Sequence, residues 1–197
     1  MDIAELYRPD PHRLAQLWHS LQQVFLDLYS SHLVTVSAID GHVLGGGCLL
    51  ALACDYRIMA SSESNESRAG TIGLNEAKLG LIPPYWMFEL YSRAIGAREA
   101  EKSICLGALY SPEEAQRIGL VDRIVDHSHV LEEALKEFSR WFLILSESRR
   151  KVKFTARQDF IDKFEDNRDK DITEFCDNVT SEAVQKQISK YFHRLKS

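Results

Sequence analysis

Three consecutive glycines, Gly45-Gly46-Gly47, are the residues of this chain best suited to hold negative charge. They follow an apolar run, residues 33–39, and a turn at Asp40-Gly41, and they open a helix-like stretch that runs from Cys48 to Cys54. Because glycine carries no side chain, the backbone N–H groups at this turn are unshielded and lie at the positive end of the helix dipole. The pattern predicts a site for a phosphate, or for an oxyanion that forms only during a reaction.

Glu76 is the second residue that could do chemistry. It stands among apolar residues in the segment 73–83, just after a short predicted strand at residues 71–74. Burial in such surroundings raises the pKa of a carboxyl group and makes its carboxylate a better base near neutral pH. A glutamate between a strand and a loop is more often solvated, so it is the pairing with the glycine turn that makes Glu76 a candidate base.

Several familiar catalytic arrangements are missing from the sequence. There is no G-x-S-x-G elbow, no H-E-x-x-H, no G-x-x-x-x-G-K-[ST] and no G-x-G-x-x-G. His42 lies beside the glycine turn, but no partner suggests itself. The four cysteines, Cys48, Cys54, Cys105 and Cys176, are irregularly spaced and form no C-x-x-C pair, which is typical of small core residues in a reducing compartment.

The composition is that of an ordinary globular domain. The chain has 197 residues, of which 45% are hydrophobic and 27% charged, enough for one well-buried core. The net charge of -5 argues against a broad nucleic-acid surface, because such surfaces need clustered basic residues. The apolar stretches are too short to span a bilayer, and Asp2 and Glu5 are atypical of a targeting segment.

Helices and strands must position these candidates. An amphipathic helix is predicted to begin at Asp10-Pro11, and residues 33–39 are predicted to form a strand buried on both faces. The remaining predicted elements follow in chain order: a strand at 56–60, a polar loop at 61–67, a strand at 71–74, helices at 86–94 and 98–106, a helix capped by Ser111-Pro112-Glu113-Glu114 and ended by Gly119, and a strand at 120–125.

From Val130 onward the pattern is helical almost to the end. Apolar residues fall on one face of the first of these helices, namely Leu131, Ala134, Leu135, Phe138 and Phe142. Strands that alternate with helices indicate an α/β fold. We therefore predict an α/β core over residues 1–126 and a helical region over residues 127–197.

Three ordered motifs resemble the crotonase (enoyl-CoA hydratase/isomerase) superfamily. The first is V-S-A-I-D-G-H-V-L-G-G-G-C-L-L-A-L-A-C-D-Y-R-I-M-A at residues 36–60, and the second is G-L-N-E-A-K-L-G-L-I-P at residues 73–83. The third, residues 94–125, runs from A-I-G-A-R-E-A-E-K to G-L-V-D-R-I-V. Within the superfamily, the N-E pair and P-P-Y-W are most similar to the mitochondrial Δ3,Δ2-enoyl-CoA isomerases.

The resemblance implies a role for each candidate. In this family two backbone N–H groups grip a thioester carbonyl and stabilise the enolate, and Gly46 matches one of them. Glu76 matches the glutamate that removes a proton at C2 and returns it at C4, or the reverse. Asn75 falls where the isomerases place a substrate-contacting residue, although a polar capping role is as consistent with its position. Hydratases carry a second glutamate where this chain has Leu49, so the resemblance favours isomerase over hydratase.

The resemblance also implies a fold and an assembly. The expected fold is a crotonase-like ββα superhelix, shortened at its N-terminus, with a C-terminal helical region. The family's second oxyanion donor belongs to an F-S-x-G-x-D motif, of which only the tail is matched, at residues 2–5. A crotonase-fold protein that is catalytically impaired and acts through subunit or partner binding is therefore the alternative function.

The expected substrate is an enoyl-CoA thioester in the β-oxidation of unsaturated fatty acids, with coenzyme A as part of the substrate and no metal or redox cofactor. The implied assembly is a homo-oligomer, commonly a trimer, and the implied compartment is the mitochondrial matrix. The basic stretch at residues 149–153 suits either a solvated helix face or an approach to the phosphates of coenzyme A.

Overall fold

The computed structural model describes residues 3–62 and 70–195. Its helices and strands follow one another as α1 (Pro11–Tyr29), β1 (Val36–Ile39), β2 (Val43–Leu44), α2 (Gly46–Ala53), β3 (Tyr56–Ala60), β4 (Ile72–Gly73), α3 (Tyr85–Ile95), α4 (Ala97–Leu106), α5 (Pro112–Ile118), β5 (Arg123–Val125), α6 (Val130–Trp141), α7 (Ser146–Asp166), α8 (Arg168–Thr180) and α9 (Glu182–Leu195). Short 3₁₀ segments lie at Ile3–Leu6, Glu76–Leu79 and His127–His129.

Two small parallel sheets form the β layer. One has the order β1-β3-β5, with Val36 opposite Tyr56 and Ile58 opposite Arg123. The other pairs β2 with β4 in parallel, so that Leu44 lies opposite Gly73. Because both strands of the second sheet run the same way, the turns that follow them meet at one edge.

Local sequence signals account for several helix ends. Asp10 Oδ1 accepts a hydrogen bond of 2.9 Å from the backbone N–H of Arg13 and begins α1. Ser111 and Glu114 form a complete capping box at the start of α5, and Gly119 ends that helix with a φ of 86°. The predictions made for both helices are confirmed.

The predicted strand at residues 33–39 is partly wrong. The observed β1 is shorter, and it is not buried on both faces, because Ala38 is exposed and Val36 and Ser37 are only half-buried. Leu33 stands before the strand with 72% of its surface exposed. The physical reason is packing: successive side chains of a strand point to opposite faces, and the face that carries Val36 and Ala38 is only partly covered, whereas Ile39 on the other face is buried.

The apolar face predicted for α6 is real, but much of it points outward. Val130 and Ala134 are buried, and α6 packs against β1 and β3. Leu131, Leu135 and Phe142 are exposed. Helical periodicity identifies an apolar face without saying what covers it. The predicted polar loop at 61–67 lies outside the described residues except for Ser61 and Ser62, whose backbone N–H donates to Glu113.

The buried carboxylate of Asp171 links the C-terminal helix α8 to α1 and α3. Asp171 Oδ2 accepts hydrogen bonds from Trp18 Nε1 at 2.8 Å, from Gln22 Nε2 at 2.7 Å and from Trp86 Nε1 at 3.0 Å. The Trp18 ring also stacks on Phe175, with ring centroids 3.6 Å apart. These contacts join α8 to the same hydrophobic core that α1 and α3 build.

The cysteines divide by burial. Cys48 is fully buried, Cys54 and Cys176 are half-buried, and Cys105 is exposed, so the prediction of four core cysteines is wrong at Cys105. All four are free thiols. Among the described residues, no helix is both long and apolar enough to cross a membrane.

Candidate active site

The glycine turn and the Glu76 segment meet at the edge of the second sheet. Gly45 follows β2, and its backbone N–H donates to the carbonyl of Gly73 at 3.0 Å. Leu74 and Asn75 follow β4 and lead directly into the 3₁₀ segment that begins with Glu76. Parallel pairing therefore brings together two segments that are about thirty residues apart in the sequence.

Gly45 touches the Glu76 carboxylate. Its φ is 53°, a conformation that favours glycine, and a Cβ added there would lie 2.8 Å from Glu76 Oε1 and 4.0 Å from Asn75 Oδ1. The space that a side chain would occupy is thus filled by the carboxylate and the amide. Two of the predicted site residues, Asn75 and Glu76, converge on the turn that contains the third, Gly46.

Gly46 and Gly47 are the first residues of α2. Their N–H groups precede the first turn of hydrogen bonds and stand at the positive end of the helix. A Cβ on Gly46 would come no nearer than 3.9 Å to the Leu21 side chain, and one on Gly47 would lie 3.5 Å from Val43. Packing therefore requires glycine at position 45, whereas positions 46 and 47 offer open backbone donors.

The Glu76 carboxylate is held in an apolar environment. Its Oε2 atom is buried and has no hydrogen-bond partner among the described residues. Burial raises the pKa of Glu76 above its ordinary value of 4.5, and a hydrogen bond with its own backbone N–H offsets only part of that rise. A carboxylate in this state takes up a proton more readily than a solvated one, as a general base near neutral pH must.

Sequence reasoning missed two buried groups close to Glu76. Burial, and after it the charge of Glu76, raises the pKa of the Cys48 thiol. Burial also raises the pKa of Tyr91, with Cys48, Tyr110 and Glu76 adding to the effect. Tyr91 Oη is buried without a hydrogen-bond partner among the described residues. Its place on the inner face of α3 gives no chemical signal in the sequence, because an aromatic residue at helical spacing reads as core.

Asn75 does not cap the 3₁₀ segment with its side chain. No side-chain capping bond is formed there, although the backbone carbonyl of Asn75 accepts from Lys78 N at 3.1 Å. Gly107 packs against the backbone of Asn75, where an added Cβ would lie 3.4 Å from both Cα and O. The half-buried amide therefore faces the glycine turn and does not cap the segment.

Leu49 lies one turn into α2 and is almost fully buried. This position therefore carries a buried aliphatic side chain and no second carboxylate. His42 is placed away from this chemistry, since its exposed ring accepts from Thr71 N at 3.1 Å and lies 3.0 Å from Thr71 Oγ1.

The described residues contain no group of three or more His, Cys, Asp or Glu side chains arranged to hold a metal ion.

The basic stretch at residues 149–153 is only partly solvated. Arg150 and Lys151 are exposed, but Lys153 is nearly buried and bonds to Asp55, so the prediction of a solvated face is wrong at Lys153. Helical position alone does not show that a lysine meets a carboxylate almost a hundred residues earlier in the chain.

Comparison with known proteins agrees with this arrangement. The model for the enoyl-CoA hydratase/isomerase family matches residues 1–197. The parallel strands, the glycine turn at the start of α2 and the neighbouring glutamate thus define a crotonase fold, and the chain belongs to the enoyl-CoA hydratase/isomerase family. The family resemblance and the fold class predicted from the sequence are confirmed.

Among individual relatives, the chain is similar to mitochondrial enoyl-CoA delta isomerase 1. It is 38% identical to the mouse protein over 196 residues and 37% identical to the human protein, covering 100% of this chain in both cases. It spans 66% of the length of the mouse protein and 63% of the human one.

Solved structures give the same result. The crystal structure of human mitochondrial delta3-delta2-enoyl-CoA isomerase superposes with a TM-score of 0.92 and 37% identity, covering 100% of this chain and 74% of that one. An enoyl-CoA hydratase from Bacillus halodurans superposes with a TM-score of 0.78 at 24% identity, covering 90% of this chain and 68% of that one, and so supports the fold.

Proposed function

We propose that this protein is an enoyl-CoA isomerase that shifts a 3-cis or 3-trans double bond of an enoyl-CoA thioester to the 2-trans position. The observation that carries the proposal is the Glu76 carboxylate, which is half-buried and lies against the glycine turn, and whose Oε2 has no hydrogen-bond partner in the described part of the chain. The similarity to mitochondrial enoyl-CoA delta isomerase 1 supports the reaction class.

In the proposed mechanism Glu76 acts as a single proton shuttle. Its carboxylate removes a proton from C2 of the 3-enoyl thioester, and the electron pair moves through the double bond system to leave a dienolate. The Gly46 N–H stabilises the negative charge on the thioester oxygen. The carboxylic acid of Glu76 then returns the proton to C4, which places the double bond in conjugation with the carbonyl. No atom is gained or lost by the thioester.

Leu49 supports internal proton return over hydration. A hydratase needs a second carboxylate to hold and activate water, whereas a buried leucine side chain can do neither. Excluding water also keeps the proton on Glu76 until it is returned to carbon. Asn75 is proposed to contact the substrate from the side of the glycine turn.

The test of this function is a spectroscopic assay. The purified protein is supplied with a 3-enoyl-CoA, and the absorbance of the conjugated 2-enoyl thioester is followed. The proposal predicts conversion without consumption of water, so that no 3-hydroxyacyl-CoA accumulates. A folded protein that produces no conjugated thioester contradicts the proposal and favours the alternative of a crotonase-fold protein that acts through partner binding.

We further propose that the chain works as a homo-oligomer, a trimer by analogy with its family. The exposed apolar residues of α6 and the segment after it support association, because so large an apolar face is rare on a monomer; they include Leu131, Leu135, Phe142, Leu143 and Leu145. Light scattering on the wild type and on Leu135→Glu tests this, because a charge on this exposed apolar face should weaken association. An unchanged monomeric mass in both proteins contradicts it.

The proposed setting is the β-oxidation of unsaturated fatty acids in the mitochondrial matrix. Its support is the compartment named for the mouse, rat and human relatives. Fractionation of cells that express the full coding sequence tests the location, and recovery of the protein outside mitochondria contradicts it.

A further inference from the structure

A cavity of about 540 Å³ lies between the end of α1 and the first half of α7. Tyr29, Phe154 and Ile161 provide apolar walls, and Lys153 and Arg157 line its polar side. Neither Gly45 nor Glu76 lines it, so an inference about this cavity does not rest on the proposed function. Among the described residues that line it there is no aspartate or glutamate.

A buried ion cluster lies behind the polar side of this cavity. Asp55 Oδ1 accepts from Arg157 Nη2 at 2.7 Å, and Asp55 Oδ2 accepts from Lys153 Nζ at 2.9 Å. The side chains of Asp55, Lys153 and Arg157 are only 2%, 10% and 15% exposed. The cluster therefore holds two positive charges against one negative charge in a place that water barely reaches.

Within residues 3–62 and 70–195, no carboxylate other than that of Asp55 forms an ion pair with Lys153 or Arg157. Lys153 Nζ also donates to Leu33 O at 2.7 Å, and Arg157 Nη1 donates to Tyr29 O at 2.7 Å. These carbonyl groups satisfy hydrogen bonds but supply only partial charge. Burial lowers the pKa of Lys153, the hydrogen bond and the charge of Asp55 oppose that fall, and the charges of Arg157 and Arg149 add to it.

A second cavity, of about 560 Å³, adjoins the first through shared residues, His32 and Arg150. Its apolar walls are formed by Leu33, Val34, Phe138 and Phe142, and it is also lined by Glu147, whose carboxylate pairs with Lys151 at 3.0 Å. Arg150 is exposed at the junction and makes no hydrogen bond or ion pair within the described part of the chain. The two cavities thus offer cations at their junction and aromatic and aliphatic surface beyond it.

We propose that these adjoining cavities bind an amphipathic organic anion, a hydrocarbon chain that ends in a carboxylate. The carboxylate lies between Arg150 and Lys153, where it neutralises the excess charge of the buried cluster. The hydrocarbon chain covers Leu33 and Phe138, which are otherwise exposed to water. The site is separate from the glycine turn and takes a free acid, which lacks the thioester that the turn would act on.

Isothermal titration calorimetry with matched probes tests this proposal. Octanoate has both the charge and the chain, 1-octanol has the chain alone, and inorganic phosphate has the charge alone. Octanoate is expected to bind at least about tenfold more tightly than either of the others, since a charge-assisted hydrogen bond and apolar burial both contribute. Octanoate that binds no more tightly than 1-octanol, or no more tightly than phosphate, overturns the proposal.

Variants identify the site. Lys153→Met removes the excess positive charge while leaving Asp55 paired with Arg157, and it is expected to weaken octanoate binding about tenfold. Arg150→Met is the second variant, because this exposed residue has no partner whose loss would unfold the protein. Lys170→Met is the control, since it removes an exposed lysine of α8 that pairs only with Glu174.

Circular dichroism confirms that each variant is folded before it is titrated. The proposal requires that Arg150→Met and Lys153→Met both weaken octanoate binding and that Lys170→Met leaves it unchanged. Equal affinity in the wild type and Arg150→Met, or an equal loss in Lys170→Met, overturns it. Enoyl-CoA isomerisation, measured in the same proteins, separates a failure of this site from a failure of the proposed function.

Discussion

Glu76 Oε1 lies only 2.8 Å from the position that a Cβ at Gly45 would take, so a side chain there would collide with the carboxylate. The relationship ties the backbone of the glycine turn to the carboxylate across two parallel strands. It also distinguishes the structural role of Gly45 from that of Gly46. Position 45 is glycine because of its φ and because the carboxylate is there, while Gly46 leaves its N–H open.

Gly45→Ala is expected to lower the free energy of unfolding, whereas Gly46→Ala is not. Alanine at position 45 must adopt a φ of 53°, which costs about 1–3 kcal/mol, and it must displace Glu76. Alanine at position 46 meets nothing nearer than 3.9 Å and keeps its backbone N–H. Urea unfolding measures the difference. Equal free energies of unfolding for the two variants would contradict the positive-φ argument.

Glu76 should make stability depend on pH. Its pKa in the folded protein lies above the ordinary 4.5, so folding favours the protonated form. The stability that this contributes is fully present below about pH 4.5 and is lost as the pH rises through the folded pKa. The wild type should therefore lose stability relative to Glu76→Gln over that window.

Urea unfolding of both proteins between pH 4 and pH 8 checks the sign. The difference in the free energy of unfolding, wild type minus Glu76→Gln, should fall as the pH rises. Glu101→Gln, an exposed glutamate of α4 that pairs with Arg98, is the control and should show no such trend. A difference that rises with pH would mean that the fold lowers the pKa of Glu76.

The carboxylate of Asp171 should stabilise the folded protein several times more than that of its neighbour Asp169. Removing the Asp171 carboxylate by Asp171→Ala strands the donors of Trp18, Gln22 and Trp86, and each buried unpaired donor costs about 1–3 kcal/mol. Asp169→Ala, in the same first turn of α8, loses only an exposed helix-end charge, about 0.3–1 kcal/mol. Thermal unfolding compares the two variants. A smaller loss of stability for Asp171→Ala than for Asp169→Ala would contradict the role of Asp171 in linking α8 to α1 and α3.

Local signals predicted much of this fold. The Ser111 capping box and the Asp10 cap could be identified because each depends on residues three positions apart. The nearness of Glu76 to the glycine turn also followed, through the family resemblance and the expectation that turns after strands carry function. What failed depends on distant contacts: the exposure of Ala38 depends on what packs against each face of β1, and the burial of Lys153 depends on its contact with Asp55.

The site was predicted less completely than the fold. The sequence predicts Gly46 as an oxyanion donor, which stays a prediction, and it gave no sign that Gly45 is the glycine that lies against the Glu76 carboxylate. Tyr91 and Cys48 lie near Glu76 because α2 and α3 pack together, and no local pattern announces that packing. The roles of Gly46, Glu76 and Asn75 in catalysis stay predictions until kinetics are measured.

The most direct measurement is the rate of conversion of a 3-enoyl-CoA to its conjugated isomer by the wild type, Glu76→Gln and the control Glu101→Gln, each shown to be folded. The account predicts that kcat falls by about 10²–10⁴-fold in Glu76→Gln and is unchanged in Glu101→Gln. Conversion by Glu76→Gln at the wild-type rate would contradict it.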